Sequence, residues 1–244
     1  MTPSGCKASP MGSILETAWR GRWTGAIFTL GAMVAGAIGW TGSLRPPALA
    51  LLGGPPLALV GGHVQAGAPW VWLLQYGLFM MVISHLVGGT GDWQWVALQR
   101  VRGISPGQWA MGQLLASGAL ACLWVIVMSA IAMTASWFHG IPMSGTGTVL
   151  PGMALAMCGL WAAAAPLVIS QRLLGDERLG LLLVGLLVII ASNGSPLIYW
   201  SPFGYAIVSL RTVIPLELSF LCLLAWITLW GLMTLWTVLG NVWP

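Results

Sequence analysis

Five carboxylates, three imidazoles, four thiols and one lysine make up most of the chemically active equipment of this 244-residue chain. Glu16, Asp92, Asp176, Glu177 and Glu217 all fall in loops or at the ends of apolar runs. Proton- and sodium-coupled carriers use buried carboxylates or broken helices at the membrane midplane. His85 is the one titratable group inside an apolar run, so ion coupling is poorly supported, although a carbonyl-lined sodium site stays open. Lys7 precedes no Gly-x-x-x-x-Gly-Lys-Ser/Thr phosphate cradle, so the chain carries no such ATP motor of its own.

Catalytic arrangements fare no better. An intramembrane serine protease needs a nucleophilic Ser followed by a His on a later helix, and no His follows His139, which leaves Ser195 without a base downstream. A haem site within the bundle needs axial ligands; His63 and His139 fall in expected outer loops, leaving His85 alone. Cys122, Cys158 and Cys222 lie in apolar runs, where cysteine acts as a small hydrophobe, and Cys6 has no hydrophobic stretch before it to make a lipid-attachment box. No disulfide framework or metal-ligand spacing is visible. The expectation is a chain that is not an enzyme and holds no cofactor.

The elements carrying these residues are set by composition. The chain is 58% hydrophobic and 6% charged, with 16 Trp, against roughly a quarter charged residues in a soluble domain. It reads as an all-α integral membrane protein, a single domain over residues 1–244. A net charge of +4 is too weak and scattered for nucleic acid. The start, Met1 to Trp23, lacks the apolar core of a secretory signal. Six spans are expected, at about 24–41, 70–89, 106–137, 150–170, 179–192 and 217–236, since about 20 helical residues cross a ~30 Å hydrocarbon core.

Seven basic residues (Lys7, Arg20, Arg22, Arg100, Arg102, Arg172, Arg178) fall on one side of this scheme and two (Arg45, Arg211) on the other. That places both termini in the cytoplasm. Trp40, Trp70, Trp137 and Trp236 mark span ends as interfacial anchors.

Two apolar stretches resist a straight span. Ala48–Val60 is broken by Gly53-Gly54-Pro55-Pro56 and reads as a re-entrant or surface segment. Leu197–Leu210 is cut by Pro202 and Gly204; it is either a re-entrant pair of half-helices dipping in from outside before the last span, or an amphipathic loop on the outer surface. Gly31, Ala35 and Gly39 in the first span, and Gly159 and Ala163 in the fourth, recur at four-residue spacing that lets helix backbones approach closely.

One loop stands out. Asp92 is placed to cap a short helix from Trp93, and Gly103 to end it. Trp95, Leu98 and Val101 fall on one side of that helix, with Gln99, Arg100 and Arg102 as polar groups. Ser105, Pro106 and Gln108 then spell a capping box at the start of the long third span. The result is a short stiff helix joined by a tight corner to a run, Gln108–Ser136, without one charged or histidine side chain. Upstream, Ile14–Trp23 reads as an interfacial helix (about 13–23) with Arg20 and Arg22 near headgroups.

With these residues in place, the chain resembles the permease subunits of type-2 ABC exporters. The likeness rests on the interfacial helix ending Arg20-Gly21-Arg22, the loop Leu98–Leu114, the broken segment Ser201–Arg211 and the closing span. It departs in offering only Asp92 as the acidic residue before the coupling helix, and in lacking a large outer domain. The resemblance implies a cell-membrane, multi-pass half-transporter that pairs with a second permease subunit, identical or not. It further implies two cytoplasmic ABC ATPase subunits, on which ATP and Mg would be bound. The coupling helix, with Asp92, Trp93, Trp95, Arg100 and Arg102, would sit in a cleft of the ATPase, braced near Arg20 and Arg22.

A pathway poor in charge favours an amphipathic or lipophilic cargo such as a drug, an antimicrobial peptide, a lipid-like molecule or haem. The polar or aromatic candidates for lining it are Trp72, Gln75, Tyr76 and His85 on the second span and Gln113 and Trp124 on the third. Each has packing as its competing role. The alternative for the whole chain is a non-transport scaffold or assembly subunit whose basic loops only orient it.

Overall fold

The computed structural model describes residues 22–41, 51, 57–60, 63–66, 70–91, 101, 103–140, 149–174, 178–192 and 215–239. Within them lie six helices: α1 (Arg22–Thr41), α2 (Trp70–Gly91), α3 (Pro106–Phe138), α4 (Val149–Leu174), α5 (Arg178–Ser192) and α6 (Leu216–Leu239). Four of these are long and apolar enough to cross a bilayer, over Trp23–Trp40, Gly107–Phe138, Val149–Gln171 and Leu216–Trp236. The apolar parts of α2 and α5 are shorter, Leu73–Gly88 and Arg178–Ile190. The protein is therefore a helical membrane protein. At ~1.5 Å per residue, the 33 residues of α3 run ~50 Å and the 15 of α5 only ~22 Å.

The helical character expected from the sequence holds for the bundle, and a short hairpin stands beside it. Leu57–Val60 (β1) and His63–Ala66 (β2) pair antiparallel, with Val60 opposite His63. Two residues, Gly61-Gly62, separate the strands, the loop length and composition that tight hairpins favour. The hairpin occupies part of the stretch expected to be re-entrant or superficial. The other broken segment, 195–211, and the interfacial helix up to Gly21 lie outside the described residues.

Helix α4 is the hub, packed against α2, α3, α5 and α6. Its apolar window is 72% buried, against 22% for those of α1 and α6. Ala162 to Ala165 are all buried, and their small side chains leave room for four neighbours at once. The small-residue stripe of α1 faces α3: a Cβ on Gly31 would come within 2.7 Å of the Trp124 ring, and one on Gly39 would strike the Ala132 carbonyl. Gly36 faces Ile131, so α1 and α3 run in the same direction.

Among the described residues, hydrogen bonds to the main chain fix the helix registry. Trp161 Nε1 of α4 donates to the Leu114 carbonyl of α3 at 2.9 Å, its ring lying over Gly118. Ser170 Oγ of α4 accepts from the Gly180 N–H at 3.1 Å, satisfying one of the unpaired amides in the first turn of α5. The key bond follows from a proline. Pro166 lies inside α4 and has no N–H, so the Ala162 carbonyl four residues earlier loses its helical donor. Trp226 Nε1 of α6 donates to that same carbonyl at 3.2 Å.

Cross-helix hydrogen bonds in membranes contribute on average only about 0.6 kcal/mol, because the separated helices find other partners. The Ala162 carbonyl has no helical substitute, so its bond should lie at the upper end. Trp226→Phe is expected to cost about 1 kcal/mol more in the native background than in Pro166→Ala, where a backbone N–H returns to the carbonyl. A double-mutant cycle by denaturant titration in micelles measures this, and a coupling near zero would remove the proline–tryptophan link.

Candidate functional site

Of the coupling set, Arg20, Asp92, Trp93, Trp95, Arg100 and Arg102 lie outside the described residues, and Arg22 is described only as the first residue of α1. The corner that follows is well defined. Val101 is helical and almost fully exposed, and Gly103 takes a φ of +74°, the left-handed conformation that ends helices and favours glycine. Ser105 is extended (φ −70°, ψ 151°) and caps α3. Its Oγ accepts from the Gln108 N–H at 3.2 Å, while Gln108 Oε1 accepts from the Ser105 N–H at 3.0 Å. The capping box read from the sequence is thus present in both halves, with Pro106 at the first helical position. Two residues of the α3 start are tied to the corner, so the helix cannot fray there without breaking both bonds.

The pathway candidates divide between two environments. Gln75 and Trp124 are fully buried, and Gln113 nearly so. Trp124 is held edge-on between Phe28 of α1 and Phe79 of α2, with ring centroids 4.9 and 6.0 Å away. One turn along, Gln75 Nε2 donates to the Gly31 carbonyl at 3.3 Å. Phe28 and Phe79 share the level of Trp124, and Gly31 and Gln75 share the next, so α1 and α2 are antiparallel. Gln75 Oε1 and Trp124 Nε1 are buried without a hydrogen-bond partner among the described residues. These three residues therefore belong to the packed junction of the bundle. Trp72 lies in α2, but its side chain is outside the described part.

Tyr76, whose ring is as buried as Gln113, and the exposed His85 border a different space. Both line an open groove of about 990 Å³ bounded by the start of α1, by α2 and by α5. On α2 its wall is a stripe through Leu73, Gly77, Met80, Ser84 and Gly88, with Tyr76, Met81 and His85 at its margins. That is the three-and-four spacing of one helix face. The facing wall is Leu181, Val184, Gly185 and Val188 of α5. Both helices rest on α4 and barely touch each other, which is why space remains between them. Sequence reasoning found Tyr76 and His85 by residue type but missed the α5 wall, whose residues carry no polar signal.

The groove's chemistry is limited: an indole, a phenol, a hydroxyl, an imidazole and two thioethers on an apolar surface. Among the described residues no three His, Cys, Asp or Glu side chains are grouped to hold a metal ion. Such a site can bind and orient an apolar or amphipathic molecule.

Burial separates the two roles experimentally. If Gln75 is a core residue, Gln75→Met removes one weak bond together with an unpartnered buried oxygen, and stability should stay within about 1 kcal/mol. Gln75→Glu would put a carboxylate in a fully buried position and should cost about 3 kcal/mol or more, or prevent folding. Thermal unfolding in detergent distinguishes these, and equal tolerance of both changes would mean that water reaches Gln75. No protein-family model matches the chain, and comparison with curated proteins returns no significant match.

Proposed function

We propose that this chain is the membrane-spanning subunit of an ATP-driven exporter of the type-2 ABC kind. In this reading it is half of a translocation pathway for an amphipathic or lipophilic substrate. It crosses the cell membrane six times with both termini in the cytoplasm, and the segments 46–69 and 195–211 stay on the outer side. It pairs with a second permease subunit and with two cytoplasmic ATPases, which bind ATP and Mg.

The observation that carries this reading is the corner at Gly103–Gln108. A left-handed glycine, an extended serine and a reciprocal capping box connect the basic segment ending at Arg102 to a ~50 Å helix. That helix exceeds a ~30 Å hydrocarbon core by ~20 Å, so part of it reaches beyond the membrane. It packs against α1, α4 and α6, and force applied to the basic segment would be delivered to the interior of the bundle. A loop that merely oriented the chain by its charge would need no such stiff connection. The shortage of buried ionisable groups gives the same support from the energetic side, because it leaves this chain no visible means of powering transport alone.

The test is co-expression with any ABC ATPase found encoded beside it and affinity purification in mild detergent. Reversing charge at Arg100 and Arg102 should reduce ATPase recovery at least about tenfold, the effect of losing ~1.4 kcal/mol of association, while membrane insertion and detergent stability stay unchanged. Full recovery of the ATPase with the doubly reversed chain would overturn the docking role. Finding no ATPase that associates with the native chain would favour a scaffold instead.

A further inference from the structure

We infer that the groove between α2 and α5 is a binding site for a bilayer phospholipid, with its polar end at Ser84 and His85 and one acyl chain running toward Leu73. This inference is independent of the exporter reading.

Three observations carry it. The first concerns polarity along the groove. Trp23 lies five residues before Phe28 on α1, and Ser84 and His85 lie five and six after Phe79 on α2. Because Phe28 and Phe79 share the level of Trp124 and the helices are antiparallel, Trp23, Ser84 and His85 come to one level. This end therefore holds an indole, a hydroxyl and an imidazole, the groups that suit the headgroup region. From there toward Leu73 the α2 wall is apolar apart from the Tyr76 ring. The groove thus has the same polar-to-apolar gradient as a lipid molecule.

The second observation is length. From His85 back to Leu73 is twelve residues, ~18 Å of helix, enough for one leaflet, which contributes about half of a ~30 Å hydrocarbon core. The third is the pair of glycines facing the void. Gly31, Gly39, Gly118 and Gly180 are each filled by a neighbouring helix or side chain, whereas a Cβ on Gly77 or Gly185 would meet nothing within 4 Å. These two line the groove from opposite walls, and glycine within a helix costs about 1 kcal/mol relative to alanine. Gly25 of α1 is equally open but lies off the groove; for the pair on the groove no contact among the described residues accounts for the missing side chains, whereas a chain lying between the helices does. The groove's rim is hydrocarbon-compatible, with Met81, Leu182 and Leu186 all exposed, so a lipid can enter from the side.

The experiment uses the full-length protein in vesicles of phosphatidylethanolamine and phosphatidylglycerol containing a phosphatidylglycerol with a diazirine on one acyl chain. After illumination, adducts should concentrate on Leu73, Met81 and Leu181, the groove residues with accessible side chains. In Gly77→Leu/Gly185→Leu, which fills open space and should fold, they should fall at least about fivefold, the factor that ~1 kcal/mol represents. Adducts on the exposed Leu229 and Leu232 of α6 should not change. A second variant, His85→Leu, should retain labelling by a diacylglycerol probe but lose the preference for the phosphodiester headgroup. Even labelling over the whole apolar surface would overturn the inference. So would Gly185→Cys protein that cross-links to a second copy without lipid adducts in the groove, since a helix would then be the occupant.

Discussion

In a medium that offers no hydrogen bonds, the carbonyl of Ala162 is the group on which the rest of the bundle depends. Pro166 deprives it of its helical donor, and in hydrocarbon such a group must be satisfied from within the protein. Trp226 supplies the N–H, which fixes where α6 lies along α4. The same helix presents Trp161 to the Leu114 carbonyl of α3 and Ser170 to the first turn of α5. Three neighbours are thus placed on α4 by one bond each, with alanines and glycines letting the backbones come near. A soluble bundle would obtain this registry from burial of an apolar stripe. Here lipid and core are equally apolar, so packing and these few polar contacts select the arrangement.

Much of this was legible in the chain. The apolar runs gave the helices, and the α1 stripe of Gly31, Ala35 and Gly39 marks the face that meets α3. The Ser105–Gln108 box was readable because capping is local: donor, acceptor and φ/ψ preference lie within four residues. The hairpin at Leu57–Ala66 also left a local sign in Gly61-Gly62, but the neighbouring Pro55-Pro56 pointed first to a broken apolar segment. The pairing of Trp226 with Ala162 was not legible, since 64 residues separate the partners. Tryptophan in a membrane chain reads first as an interfacial anchor; only the proline, which announces a carbonyl in need of a donor, hinted otherwise.

The pathway residues show a further limit. Gln75 and Tyr76 are adjacent, similar in polarity and both buried, yet one is bonded to α1 inside the junction and the other borders the groove. On a soluble helix the alternation of polar and apolar residues reveals which face is buried. Helix α2 is apolar around most of its circumference, so its sequence does not orient it. What divides its residues is the position of α4 and α5, helices that begin only well beyond it along the chain. Residue type therefore finds candidates in such a chain, while three-dimensional neighbours decide between ligand and filler.

The corner and the groove are linked through Trp124. Helix α3 does not line the groove, yet the Trp124 ring fits against Gly31 and is flanked by Phe28 and Phe79, from the two helices that form one side of it. A Cβ on Gly31 would already lie at 2.7 Å from that ring, so the site is filled with no spare volume. A rigid shift of α3 along its axis, driven from its capped first turn, would push the indole out of its slot and oblige α1 or α2 to move with it. Close-packed cores yield by switching between discrete arrangements rather than by deforming smoothly. If the basic segment before Gly103 is displaced, the width of the groove is therefore the quantity that must change, because α5 is tied to α4 through Ser170 and α2 is the wall in contact with Trp124.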